Sequence, residues 1–316
     1  MRRQHRDSLS PKGESILVIL SIVLVGRTPR CGDAGRKVLR KLDEANLSDE
    51  LEEKGYVVVS STPSSTSLLP YGEREEPFIS IVTPYYNPGA NFENAIREMV
   101  AVLDSIGVSY ELIAVSDGSS DSSNEVIPKI GISTIKDVYH LRRQGKGSAL
   151  RTGLALGRGR YLGFIDADGD IDPKALRAFV GTVALYQPDI VLGSKRHPMS
   201  EVVYPPIRRL YSSVYQLLIR ILFGLSIRDT QTGVKLCRRE VIEEVLPRMV
   251  EKRFAFDLEL FVVARRLGYD KFFEAPVVIR ERLTSTINWR SVINTLIDTF
   301  AIFYRERVLH FYDRRL

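Results

Sequence analysis

Four aspartates, Asp166, Asp168, Asp170 and Asp172, follow the apolar run 161–165 at every second position. Carboxylates packed so closely repel one another unless a cation screens them or the outer ones turn to water. Hard oxygens on a tight turn suit Mg²⁺ or Mn²⁺, which is held by one or two carboxylates together with a substrate diphosphate. The same stretch also reads as an exposed acidic turn in which Asp172, ahead of Pro173, caps a helix. A second acid, Asp117, closes another apolar run in Ser116-Asp117-Gly118-Ser119-Ser120-Asp121. It is either an acceptor for a base or ribose or ordinary Asp-Gly turn chemistry. Arg143-Gln144-Gly145-Lys146-Gly147 offers cations and bare amides ahead of a helix, an anion cradle that includes Lys146. Its spacing is neither that of a Walker A loop nor a full dinucleotide fingerprint.

These loops need a scaffold that brings them together. From residue 78 onward strand, turn and helix alternate, with strands expected at 78–83, 110–115, 138–141, 161–165 and 189–192. Helices are expected at 91–103, from 148 and after Asp172. Short apolar strands between helices mean an open, mostly parallel Rossmann-like α/β sheet flanked by helices on both faces. Ligands of such sheets bind beyond the carboxyl ends of the strands, where the 84–87, 116–121, 143–147 and 166–172 loops all fall.

In this order the motifs SIVTPYYN (80–87), VSDGSSD (115–121), QGKGSALRTG (144–153), FIDADGD (164–170), DTQTGVKL (229–236) and FDLE (256–259) resemble family 2 glycosyltransferases of the GT-A fold. Within that family the chain is similar to the dolichyl-phosphate glucosyltransferases and mannose synthases, over about residues 77–285. The resemblance implies nucleotide contacts at Pro84 and Tyr86, a nucleobase-binding acid at Asp117, and metal and sugar-nucleotide binding at Asp166, Asp168 and Asp170, with Ala167 among the donor-binding positions. It also implies phosphate contacts at Lys195 and an acceptor-phosphate pair at Arg208 and Ser212. Departures from the family pattern are Pro88 for Glu, Ser116 for the first acid, Lys195 for Arg and Thr286 for Lys.

The implied reaction is metal-dependent, inverting transfer of a hexose from UDP-glucose or GDP-mannose to a polyprenyl (dolichyl) phosphate. Asp168, Asp170, Lys195 and Arg208 would carry it. A phosphate acceptor needs no strong base, because its second pKa lies near about 6. It needs cations, for which Lys195, Arg208 and Lys235 are candidates. A hydroxyl acceptor would need a base, for which Asp257 and Glu259 are candidates, Asp257 reading equally as a helix cap. Competing readings are a same-fold enzyme with a soluble or polysaccharide acceptor, and a non-catalytic sugar-nucleotide-binding module.

With 316 residues, 44% hydrophobic and 27% charged, the chain can bury a sizeable core, which excludes a disulfide mini-protein, a collagen repeat and a wholly disordered chain. Cys31, Cys237 and four scattered histidines show no ligand spacing, so neither zinc nor a redox pair is expected and a reduced setting is the default. The net charge of +6 sits in residues 205–316, with 20 Lys+Arg against 13 Asp+Glu. That favours an anionic partner such as phosphate or a membrane surface. Nucleic acid is not expected, since no aromatic–basic interleaving accompanies the charge.

Residues 1–76 are an N-terminal extension and linker: a basic-flanked apolar run at 16–25, a charged helix at 34–54, and a Ser/Thr/Pro-rich stretch at 60–70. The apolar run reads as a buried strand, a start set too far upstream, a shallow membrane anchor or a signal segment without a small-x-small cleavage site. Residues 77–200 form the sugar-nucleotide half and 201–316 the acceptor half. In the latter, helix 208–223 aligns Leu210, Val214, Leu217, Leu218, Ile221 and Leu222, and helix 289–308 repeats the theme with Ile293, Ile297, Phe300, Phe303 and Tyr304. Each helix suits either a bilayer interface or ordinary packing on the sheet. No run approaches the roughly 18 apolar residues that cross a bilayer. A peripheral enzyme on the cytoplasmic side of the membrane follows, or one that leans on a membrane partner protein.

Overall fold

Runs rich in Ile, Val, Leu and Phe, too short for helices, form strands covered on both sides in the computed structural model, which describes residues 58–60, 76–203, 206–253, 255–280 and 289–313. The strands are β1 (Val58–Ser60), β2 (Ile79–Tyr85), β3 (Tyr110–Ser116), β4 (Ile135–Tyr139), β5 (Tyr161–Ile165), β6 (Ile190–Gly193), β7 (Val234–Arg238) and β8 (Phe272–Ala275). Among the described residues they make one sheet in the order β1-β4-β3-β2-β5-β7-β6-β8. β4, β3, β2 and β5 are parallel neighbours, β8 is parallel to β6, and β7 runs antiparallel between β5 and β6. The apolar run 16–25, the helix at 34–54, the linker beyond Ser60 and Thr286 lie outside the described residues.

Side chains along a strand alternate between faces, and the two cores follow that alternation. Ile81, Leu112 and Ala114 belong to one apolar cluster, while Val82, Ile113 and Val115 belong to the other. α1 (Phe92–Ile106), α2 (Val126–Ile130) and α4 (Ala175–Tyr186) cover the first face. α3 (Lys146–Leu156), α5 (Pro206–Phe223), α6 (Arg239–Val245), α7 (Phe256–Arg266) and α8 (Trp289–Arg307) cover the second.

Strand β4 begins three residues before the expected 138, because Lys136 and Asp137 look like loop residues in sequence. Lys136 Nζ lies 2.6 Å from Glu111 Oε2. Asp137 is buried, accepting hydrogen bonds from the Tyr85 and Tyr139 hydroxyls. Burial pushes its carboxyl up to about 7, against the lowering effect of those hydroxyls. The native state therefore keeps a proton that the unfolded chain releases near its ordinary value of about 3.9. Stability from this group is full at low pH and falls as pH rises from about 4 to 7. Asp137→Asn is expected to flatten that fall, read as melting temperature near pH 5 and about pH 7.5. An equal fall in both proteins would refute the assignment.

α5 and α8 pack on each other through Tyr215 Oη and Thr299 Oγ1 at 2.9 Å and the edge-on rings of Phe223 and Phe303. The core-facing side of α5 is Gln216, Ile219 and Phe223. Leu210, Val214, Leu217 and Ile221 instead face outward, with Leu210 61% and Ile221 71% exposed. Ile293, Ile297, Phe300 and Tyr304 of α8 are exposed likewise. Leu222 and Phe303, from the same expected stripes, pack against the core, so each stripe divides between the core and the outside. Among the described residues no helix is long and apolar enough to cross a membrane.

Candidate functional site

The strands β2, β3 and β5 run parallel, so their carboxyl ends deliver the 84–87, 116–121 and 166–172 loops to one edge of the sheet. Pro84 is buried within β2, opposite Val115. Tyr86 is exposed, and the Arg143 guanidinium stacks over its ring at 4.1 Å. Asn87 ties the first two loops together, its Oδ1 accepting the Ser120 N–H at 2.8 Å.

Asp117, which the sequence leaves open between an acceptor for a base or ribose and ordinary turn chemistry, anchors the 143–147 loop. Its buried carboxylate accepts the Gln144 N–H at 2.8 Å and the Gly145 N–H at 2.9 and 3.1 Å. His140 Nδ1 lies 3.3 Å away, while its Nε2 meets Thr152 Oγ1 at 2.9 Å. These bonds fix the turn that starts α3. Only glycine suits the turn: Gly145 has φ +108°, and a Cβ there would lie 2.4 Å from the Lys252 carbonyl oxygen.

The four aspartates take separate tasks. Asp166 turns inward, its two oxygens 2.6 and 2.8 Å from Lys146 Nζ at the start of α3. A Cβ on Gly233 would lie 1.9 Å from Asp166 Oδ2, so the carboxylate rests on bare backbone of the loop before β7. Burial lowers the Lys146 pKa, but the neighbouring Asp166 and Asp257 outweigh it and hold the pKa above the ordinary lysine value. Ala167 is buried, and Asp168 is exposed, accepting the Asp170 N–H at 3.1 Å. The Asp170 carbonyl accepts the Arg280 N–H at 2.8 Å. Asp172 accepts the Lys174 N–H at 2.9 Å and pairs with Arg280 at 3.0 Å, but α4 begins at Ala175 with Lys174 as its N-cap, so the expected cap at Asp172 is corrected to a turn contact one step ahead of the helix.

No cluster of three or more His, Cys, Asp or Glu side chains that could cage a metal occurs among the described residues. The donor set still fits Mg²⁺ or Mn²⁺, which needs only one or two carboxylates beside phosphate oxygens. Asp166, already facing a cation, and the exposed Asp168 supply them.

Three sequence expectations are corrected beneath this loop. Lys235 cannot reach an acceptor: its side chain is 0% exposed, with Nζ 2.7 Å from Asp257 Oδ1 and donating to the Thr232 carbonyl at 2.7 Å. Phe164 and Phe261 flank the ammonium, their ring centres 5.1 and 5.7 Å away. Asp257 is not a cap, since it lies inside the first turn of α7, after the N-cap Ala255. Glu259 is no base either. It accepts the Val250 and Glu251 N–H groups at 2.9 and 2.8 Å and the Tyr312 hydroxyl at 2.7 Å, which stitches the 311–313 turn to α7. A lysine inside Val-Lys-Leu-Cys-Arg gives no sequence signal of burial, which is why its pairing with Asp257 was not foreseen.

On the acceptor side, Lys195 donates its backbone N–H to Asp229 at 3.1 Å, and its Nζ lies 3.6 Å from the same carboxylate. Arg208 and Ser212 are half-buried, one turn apart on α5. Arg196, next to Lys195, reaches Ser213 Oγ at 2.8 Å and so docks the loop after β6 on that helix.

A family model described as glycosyl transferase family 2 matches residues 80–246. A dolichyl-phosphate beta-glucosyltransferase from Dictyostelium discoideum is 26% identical over 239 residues, 71% of this chain and 70% of the relative. The dolichyl-phosphate beta-glucosyltransferase ALG5A of Trichomonas vaginalis is 28% identical, covering 95% of this chain and 97% of its own. Among solved structures, glucosyl-3-phosphoglycerate synthase from Mycobacterium tuberculosis, in complex with Mn²⁺, uridine diphosphate and phosphoglyceric acid, superposes with a TM-score of 0.56 at 21% identity, covering 72% of this chain and 78% of that one. That likeness bears out the expected GT-A architecture of a mostly parallel sheet between helices.

Proposed function

The chain belongs to glycosyl transferase family 2, and from that premise we propose that it transfers glucose from UDP-glucose to dolichyl phosphate, with inversion at the anomeric carbon. The observation that carries this reading is the meeting of Lys146, Asp166 and the exposed Asp168 at the carboxyl ends of the sheet. The names of its relatives support glucose and the dolichyl acceptor. A solved neighbour that carries Mn²⁺ and uridine diphosphate supports a divalent ion and a uridine donor.

In the reaction an acceptor phosphate oxygen forms a bond to the anomeric carbon as the bond to the donor's diphosphate oxygen breaks, releasing UDP. A divalent cation held by Asp166 and Asp168 would neutralise charge on the departing diphosphate. Lys146 adds a positive charge on the same side, and Asp117, by holding the Gln144 and Gly145 N–H groups, fixes the loop from which that lysine projects. The acceptor is already largely dianionic at neutral pH, which agrees with Asp257 and Glu259 both being committed to other partners. Lys195, Arg208 and Ser212 are the groups that would hold it.

The outward apolar faces of α5 and α8 support a peripheral seat on the cytoplasmic side of a membrane, where the isoprenoid chain enters. Arg209 and Arg220, exposed on α5, add attraction for anionic headgroups.

Labelled glucose from UDP-glucose should appear in an organic-extractable lipid when dolichyl phosphate and Mg²⁺ or Mn²⁺ are present in detergent, and vanish with EDTA. Labelling from GDP-mannose instead would overturn the donor. Metal-dependent hydrolysis of UDP-glucose without a lipid product would overturn the acceptor. The double variant L217E with I297E is expected to lose flotation with vesicles of phosphatidylcholine and phosphatidylserine; undiminished flotation would remove these helices as the membrane seat.

A further inference from the structure

One feature of the site lies outside the transfer chemistry: the oxygens best placed for a divalent ion already face a cation. Lys146 Nζ sits 2.6 and 2.8 Å from the two Asp166 oxygens, with Asp168 and Asp257 adding to its attraction. Asp166 is seated against the Gly233 backbone, its N–H donating to the Gly233 carbonyl at 3.0 Å and its Oδ2 so close that a Cβ on Gly233 would lie 1.9 Å away. Both side chains nevertheless keep some access to solvent, Lys146 at 26% and Asp166 at 21%.

We propose that Lys146 is an internal counter-cation that occupies the Asp166 oxygens until the donor arrives, so that a divalent metal binds tightly only together with the nucleotide diphosphate. This rests on the reading of the site as a metal-dependent sugar-nucleotide transferase. An ammonium and a divalent ion on one carboxylate repel each other, so each weakens the other's hold unless a further anion joins them. The donor's phosphates resolve that conflict, because they offer the ammonium a second anion within the reach of its flexible stem. Metal and nucleotide then reinforce each other's binding, and by linkage the reinforcement is equal in both directions. Lys146 thereby keeps the buried carboxylate compensated between turnovers and keeps free metal out of an empty site.

The test is Mn²⁺ binding to the full chain without any donor, read by electron paramagnetic resonance. The wild-type protein is expected to bind Mn²⁺ alone weakly and to bind it much more tightly with UDP. Lys146→Met is expected to bind Mn²⁺ alone about tenfold more tightly than wild type, with a smaller gain from UDP. Lys146→Arg, which keeps the charge, is expected to stay weak. Lys146→Met binding Mn²⁺ alone no better than wild type would overturn the proposal. If that variant is unstable, a melting temperature raised by Mn²⁺ supports the exchange, and one that Mn²⁺ leaves unchanged overturns it. Failure of the underlying reading looks different: the wild-type protein would take up no Mn²⁺ with either UDP or GDP.

Discussion

Asp168→Ala is expected to lower sugar transfer about a thousandfold while leaving the melting temperature unchanged. Asp168 is exposed at the carboxyl end of β5, and its carboxylate accepts the backbone N–H of Asp170 from its own turn. Nothing in the core leans on it, so its removal costs little stability. Its loss takes away a ligand oxygen where charge develops on the leaving diphosphate. Lewis-acid neutralisation contributes several kcal/mol, and about 4 kcal/mol corresponds to three decades in rate. Transfer assays and thermal melts on the same preparation check both halves. Activity within tenfold of wild type would remove Asp168 from the chemistry, and a large drop in melting temperature would make it a structural residue.

Lys235→Met is expected to do the reverse, striking the fold before the chemistry. The ammonium is wholly buried between two aromatic rings, 2.7 Å from Asp257. Deleting it leaves an uncompensated buried carboxylate, which costs about 3–5 kcal/mol. For a chain of this size that is a fall of roughly 10 °C in melting temperature. Removing both charges together, as K235M with D257L, is expected to recover most of the loss, because apolar replacements for a buried pair are often neutral. Equal melting temperatures for the single and double variants would show that the pair is not a unit.

The parts legible in the sequence were those governed by local chemistry. Strands β2, β3 and β5 announced themselves as short, mainly apolar runs, and the loops after β3 and β5 by Gly and Asp at turn positions. Residues whose role depends on a distant partner were not legible. Asp117 reads as an open acid until the 144–145 amides fold back on it. Glu259 reads as a candidate base and Lys235 as a candidate cation for the acceptor, yet each is closed off by groups that sequence places elsewhere: Tyr312 for one, Asp257 and Phe164 for the other. The helices α5 and α8 show a third kind of ambiguity. A 3.6-residue apolar stripe is the same whether it faces a core or a bilayer, and only the packing of Ile219 and Phe223 reveals that a second stripe on α5 is left outside.

The position of β7 has a consequence for synthesis. During translation β5 emerges at Ile165, but its neighbour on that side begins only at Val234. At ribosomal speeds of about 5–20 residues per second, the nascent sheet spends roughly 4–15 seconds with that edge of β5 unpaired and roughly 2–9 seconds with the facing edge of β6 unpaired. Strands with open edges template association with other chains. The protein is therefore most vulnerable to aggregation while still attached to the ribosome, and slow decoding between β6 and β7 would lengthen that exposure.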